Sequence, residues 1–121
     1  MANLVIETPE NNEHYVPGQE ISGRVSWTLD STPDSIEIRL FWFTDSDGAN
    51  DVGIVDRIVM NDPSRYGSRG FSFTLPQGPY SFRGKHVSLF WALEAVALPS
   101  KEFYRFLFAL SPTGDPIVLN H

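Results

Sequence analysis

The best candidate for metal chemistry is the stretch Asp45-Ser46-Asp47-Gly48-Ala49-Asn50-Asp51. Asp45, Asp47, Asn50 and Asp51 place four oxygen-bearing side chains close together, and Ca²⁺ takes about six to eight oxygen ligands. The glycine arrives too early for an EF-hand loop, and no bidentate glutamate follows at the required distance. Asp and Gly at this density also build ordinary hairpin turns, so the stretch reads first as a hairpin loop and second as a weak Ca²⁺ candidate. Nucleophilic chemistry has less support. His14, His86 and His121 fall before a turn, at a strand start and at the last position, and there is no Gly-x-Ser-x-Gly elbow or His-Glu-x-x-His pair. Glu37, Asp56 and Glu94 are the carboxylates that spatial pairing could turn to acid–base work. Within strands they read instead as exposed charges or as ion-pair partners of Arg39 or Arg57. The chain has no cysteine, which excludes thiol catalysis, disulfides and Cys-bearing zinc sites. These patterns point away from an enzyme and call for no cofactor.

Charge narrows the partner class. The 121 residues carry 9 Lys+Arg against 15 Asp+Glu, a formal charge of −6. That field repels a phosphate backbone, so nucleic acid is not an expected partner. Residues 1–60 hold 11 acids and 3 bases, while residues 61–121 hold 4 and 6. A β fold interleaves the two halves in space, and the asymmetry alone therefore predicts no acidic face. Arg65, Arg69, Arg83, Lys85 and His86 form a basic run over two connectors. Brought together they would dock an acidic partner or an anionic headgroup; apart they are solvated loop tips. The first residues, Met-Ala-Asn-Leu-Val-Ile-Glu, lack the basic region of a signal peptide. The most apolar stretch, 89–98, is about half the length of a bilayer span and carries Glu94. A soluble, cytoplasmic chain with no transmembrane segment is the expectation.

Strands must position these side chains, because apolar residues recur with period two. Residues 21–29 alternate Ile21, Gly23, Val25, Trp27 and Leu29 with Ser22, Arg24, Ser26 and Thr28. Pro17-Gly18 before them suits a type II turn. Gly23, inside the strand, marks a bulge or a close approach by a neighbouring segment. Further strands are expected at 3–7, 35–44, 52–60, 70–75, 85–97, 102–110 and 117–119. The connectors are 45–53, 61–69, 76–84 and 111–116. A helix is the rival over 87–98, but Val87, Phe90, Trp91 and Val96 favour a strand there. Short strands at this spacing imply an all-β fold, an immunoglobulin-like antiparallel β-sandwich of about seven to nine strands forming a single domain over 1–121. Trp27, Trp42 and Trp91 are expected between its two layers.

Several strands are apolar on both faces. Phe41 and Phe43 oppose Leu40 and Trp42, and Phe90 and Val96 oppose Trp91 and Leu93. Tyr104, Phe106, Phe108 and Leu110 oppose Phe103 and Leu107. A sheet with one face in the core normally shows polar residues on the other. The surplus predicts an outer aromatic face carrying Phe41, Phe43, Phe90, Tyr104, Phe106 and Phe108, which would meet another protein or a second copy of the chain. The bland alternative is a cover supplied within the monomer, for example by the connector 61–69.

Four segments in order resemble the arrestin-like β-sandwich: Tyr15-Val-Pro-Gly-Gln-Glu-Ile-Ser-Gly-Arg-Val25, Gly70-Phe-Ser-Phe-Thr-Leu-Pro76, Pro79-Tyr-Ser-Phe-Arg-Gly-Lys85 and Val87-Ser-Leu-Phe-Trp-Ala-Leu-Glu-Ala95. The family opens on a similar Tyr-x-Pro-Gly strand and enters a long core strand through a similar Pro-x-Ser-Phe-x-Gly turn. Arrestins proper have two sandwiches, and 121 residues suffice for one. The resemblance therefore implies a fold and an adaptor-like role, with no receptor-binding or phosphate-sensing residue carried over. Independently of it, Pro76 and Pro79 must leave the sheet. Ser81 is placed to bond backbone in that turn, and Phe82 to plug the end of the core. The expected function is a non-enzymatic protein-interaction or scaffolding module. Its alternative is a carbohydrate- or small-ligand-binding sandwich with Trp42, Trp91, Tyr66 or Tyr80 as stacking platforms.

Overall fold

The computed structural model describes residues 2–9, 12–48 and 50–119. Ten strands follow in order: β1 (Asn3–Glu7), β2 (His14–Tyr15), β3 (Glu20–Thr28), β4 (Ser35–Ser46), β5 (Val52–Asn61), β6 (Tyr66–Thr74), β7 (Phe82–Arg83), β8 (Val87–Leu98), β9 (Phe103–Leu110) and β10 (Ile117–Val118). They form two sheets. The smaller runs β1-β3-β6; the larger runs β5-β4-β8, with β9 and β7 sharing the far flank of β8. The stretch 87–98 is strand throughout, as its β-branched and aromatic residues require. Among the described residues no helix is long and apolar enough to cross a membrane.

The alternation dictates the core. Ile36, Ile38 and Leu40 of β4 and Leu89, Trp91, Leu93, Ala95 and Ala97 of β8 are buried on the inner face of the larger sheet. They meet Leu4 and Ile6 of β1, Ile21, Val25 and Trp27 of β3, and Phe71 and Phe73 of β6. Two indoles are buried with their donors satisfied, as burial of an N–H demands. Trp27 Nε1 donates to the Ser64 carbonyl at 2.9 Å and Trp91 Nε1 to the Pro79 carbonyl at 2.7 Å. Trp42 is half-buried and packs against the same cluster.

Two departures from the expected sandwich have a common cause. The described residues form ten strands where about seven to nine were expected, and the ladders β2–β9 and β7–β10 are parallel in a fold expected to be antiparallel. Each of these extra pairings spans two residues, too short to leave a periodic signature. Ser81 links the flank of β8 to both: its N–H donates to the Leu110 carbonyl at 2.7 Å, its Oγ accepts the Leu110 N–H at 3.0 Å, and its carbonyl accepts the Ile117 N–H at 3.0 Å. β6 also starts earlier than its composition suggests. Tyr66 to Arg69 pair with Thr28 to Val25, so the partner strand extends what reads locally as a loop.

Glycine is required at two points. Gly18 takes φ +82° in the turn after Pro17, where the Gln19 N–H donates to the Val16 carbonyl at 3.1 Å. At Gly23 a Cβ would overlap the carbonyl oxygen of Glu7 in β1 and lie 3.0 Å from the Phe71 ring. Gly23→Ala should therefore cost about 1–3 kcal/mol through overpacking, read as a lower urea midpoint with unchanged slope.

Tyr15, in β2, stacks edge-on to Phe108 at 5.4 Å between ring centroids. Burial raises its phenol above the ordinary value of 10.0. The folded chain then resists ionisation that the unfolded chain accepts. This contribution is intact below pH 10 and is lost as pH climbs through the raised folded value. Tyr15→Phe should flatten the alkaline fall of the melting temperature.

Candidate functional site

The β4–β8 ladder runs without a break from Ser35 opposite Leu98 to Ser46 opposite Val87. Once Leu40, Leu93 and Trp91 face the core, Glu37, Arg39, Phe41 and Phe43 of β4 must face outward beside Val96, Glu94, Ala92 and Phe90 of β8. Arg105 stands opposite Glu94 and Leu107 opposite Ala92, so Phe103, Arg105 and Leu107 are the outward residues of β9. On β5 the register places Val52 and Ile54 beside Phe43 and Phe41, with a bulge between Ile54 and Asp56.

The centre of this face is ionic. Arg39 donates through Nε and Nη2 to Glu37 Oε2 at 2.9 and 2.6 Å, and its Nη1 lies 3.6 Å from Glu94 Oε1. Arg105 donates through Nε and Nη2 to Glu94 Oε2 at 3.2 and 2.9 Å. Both carboxylates are largely shielded, with side chains 13% exposed. The same Arg105 guanidinium sits 5.2 Å above the rings of both Phe41 and Phe43. Phe43 stacks on Phe90 at 5.4 Å. Arg105 thus acts as a lid over the aromatic cluster, and Phe41 is buried beneath it. Around this centre lies an apolar rim: Val52 (65% exposed), Ile54 (58%), Leu107 (47%) and Phe103 (62%).

The six aromatics expected on the outer face are therefore divided. Phe41, Phe43 and Phe90 are there and touch. Tyr104, Phe106 and Phe108 are not: opposite Ala95, Leu93 and Trp91 they take the core side. Phe108 is buried in the core, Phe106 packs against it, and Tyr104 is partly exposed at the end of its row. β9 is apolar at nearly every position, so its periodicity does not reveal which face turns inward. The usable sign was Arg105, a charge in mid-strand like Arg39 and Glu94, which marks Phe103 and Leu107 as outward. The connector 61–69 does not cover the face; Ser64 and Arg65 bond Trp27 of β3 and Leu29 just beyond it, on the side of the smaller sheet.

The other candidates are scattered. Residues 45–48 and 50–51 draw together at the end of β4: Asn50 Oδ1 accepts from the Ser46 N–H at 2.8 Å and the Ser46 hydroxyl at 3.0 Å, and the Asp51 N–H donates to Thr44 Oγ1 at 2.8 Å. Asp45, Asp47 and Asp51 are exposed, and among the described residues no three His, Cys, Asp or Glu gather for a metal. Glu37 and Glu94 are bridged by Arg39 rather than facing each other across a cleft, and Asp56 lies at the β5 bulge. His14 Nδ1 lies 2.9 Å from the Gly114 carbonyl and 3.5 Å from Asp115 Oδ1, while the Ser111 hydroxyl donates to the Asp115 backbone carbonyl. That trio ties a loop to β2. His121 lies outside the described residues. Arg69 lines the groove between β5 and β6, whereas Arg83 lies on β7 across the larger sheet, so the basic run separates. Of the four stacking candidates, Trp91 is fully buried and Trp42 covers Gly53, leaving Tyr66 and Tyr80 exposed far apart in the chain.

Glu94→Gln should remove one charge-assisted partner from each of two arginines, lowering stability by about 1–2 kcal/mol. Arg105→Ala should leave the fold intact but uncover Phe41 and Phe43, read as increased binding of a hydrophobic dye.

No family model and no curated protein sequence matches the chain. Among solved structures it is similar to Spo0M, the sporulation control protein of Bacillus subtilis. The match has 14% identity and a TM-score of 0.57, covering 91% of this chain and 48% of that one. A superoxide reductase (neelaredoxin) from Ignicoccus hospitalis matches at 15% identity and a TM-score of 0.47, over 89% of this chain and 79% of that one. The chain spans about half the length of Spo0M. The likeness to Spo0M establishes the fold class, an all-β arrestin-like β-sandwich.

Proposed function

We propose that this chain is a non-enzymatic protein-interaction module that binds through the outer face of the larger sheet. The observation that carries the reading is the exposed apolar rim of Val52, Ile54, Leu107 and Phe103 around a pre-ordered Glu–Arg and aromatic centre. Large apolar side chains exposed together on one face, rather than scattered singly, are characteristic of interaction sites. The centre offers Arg and Phe, residue types enriched at interfaces, with its two carboxylates already paired. Its side chains are already held by ion pairs and ring contacts, so binding would order few of them. A scaffolding role is consistent with carboxylates that are bridged by arginine and a serine hydroxyl committed to backbone.

The double variant Ile54→Asp, Phe103→Asp tests this. Both side chains are exposed, so circular dichroism and melting temperature should stay close to wild type. Affinity capture from native lysate, with sedimentation to detect a second copy, should lose the partner that the wild type retains. Tyr66→Ser, on the smaller sheet, should keep it. Capture and sedimentation indifferent to the Ile54 and Phe103 charges would overturn the reading.

A further inference from the structure

β8 changes neighbour part-way along its far flank. Residues 91–96 pair with β9 and Ser88–Leu89 with β7, while Phe90 between them belongs to neither ladder. Beyond Phe108, β9 turns away to pair with β2. The fork between the diverging strands is a cavity of about 240 Å³. Its walls come from both faces of the sheet: Leu89 and Phe108 point to the core, Phe90 and Leu107 point outward, and the buried Ala109 lies where β9 turns to β2. The opening therefore passes through the layer, and a group entering from outside reaches core side chains.

Size and charge restrict what fits. The volume lies below the roughly 300–1,000 Å³ of sites that enclose whole small molecules. It suits one large apolar side chain, the kind of central anchor that dominates binding energy at protein interfaces. Arg83 lines the rim, and Lys85 and His86 follow it in the turn into β8; all three are exposed. Among the described residues no ion pair reaches them, in a chain whose formal charge is −6. Glu13 is the single acid in the lining.

We infer that the fork anchors an extended segment of the partner protein. An apolar side chain of leucine to phenylalanine size enters the slot, and acidic residues beside it lie against Arg83 and Lys85. This rests on the outer face being the interaction surface and adds the chemistry that it recognises.

The test uses two capped peptides, acetyl-Leu-Glu-Glu-amide and acetyl-Leu-Lys-Lys-amide, titrated at millimolar concentration into the isotope-labelled full chain. The acidic peptide should shift the backbone resonances of Leu89, Phe90 and Ala109. It should bind several-fold more tightly than the basic one at low salt, and lose that advantage as salt screens the charges. Ala109→Leu, which fills the slot, should abolish binding of both. Arg83→Gln with Lys85→Gln, at exposed positions, should equalise the two peptides and carries the test if Ala109→Leu does not fold. Silence at the slot, equal affinity of the two peptides for the wild type, or tighter binding of octanoate would each overturn the inference, the last by making the slot an acyl-chain site. Ile54 and Phe103 do not line the slot, so their double variant should bind the acidic peptide like wild type. A silent titration with face-dependent capture would sink the anchor alone; a positive one with face-independent capture would sink the wider reading alone.

Discussion

The continuous ladder between β4 and β8 constrains the rest of the molecule. Two twelve-residue strands paired end to end have one choice of face, and a slip by one residue would exchange every side chain between core and solvent. Arg39 and Glu94 stand opposite each other at its centre. Sending them inward would strip hydration from two charges in a layer otherwise filled by Ile38, Leu40, Trp91 and Leu93, a far larger penalty than leaving phenylalanines outside. Charge thus settles the parity, and the outward position of Phe41, Phe43 and Phe90 follows from it. The guanidinium of Arg105 then covers Phe41 and Phe43 while its charge stays matched by Glu94. One electrostatic choice in the central pair therefore determines both the core and the outer centre.

The free edge of the larger sheet shows how an apolar strand is kept from unspecific pairing. β5 ends the sheet and exposes Val52, Ile54, Val55 and Val59. An open strand edge of this composition is a template for association. It is interrupted in the middle by the bulge next to Ile54 and by the adjacent charges Asp56 and Arg57. A bulge bends the strand and changes which side chains share a face, so the two halves of the edge do not offer one straight ladder. The arrangement disfavours edge-to-edge growth while leaving Val52 and Ile54 displayed on the outer face.

How far the sequence could be read depended on whether each strand carried its own contrast. In β3 the alternation of Ile21, Val25 and Trp27 with small polar residues revealed both strand and face, and Gly23 announced the approach of Glu7 that the structure contains. β4 and β8 carried mid-strand charges, so their outward aromatics were legible. β9 offered Phe, Tyr, Leu and Ala on both sides, and its face is decided only by pairing with β8; half of the expected aromatic site moved inward for that reason. The first residues of β6, Tyr-Gly-Ser-Arg, have loop composition and become strand only because β3 lies beside them. β2 and β7 are too short for any period. Ser81 was legible as a backbone partner, but not as the link between three strands, because Leu110 and Ile117 are distant in sequence.

The same link explains how a slot to the core can persist in a folded chain. A sheet in which β9 ran on beside β8 would seal Leu89 and Phe108 under continuous backbone. With β7 in that place, the backbone groups at the fork must find partners elsewhere, since buried unpaired groups are strongly disfavoured. Ser81 supplies two of them through its N–H and hydroxyl, both directed at Leu110. The slot sets apolar side chains such as Leu89, Phe90 and Phe108 beside the polar Glu13, His14, Ser81 and Arg83. An apolar side chain entering it would restore the packing that a continuous strand would otherwise provide.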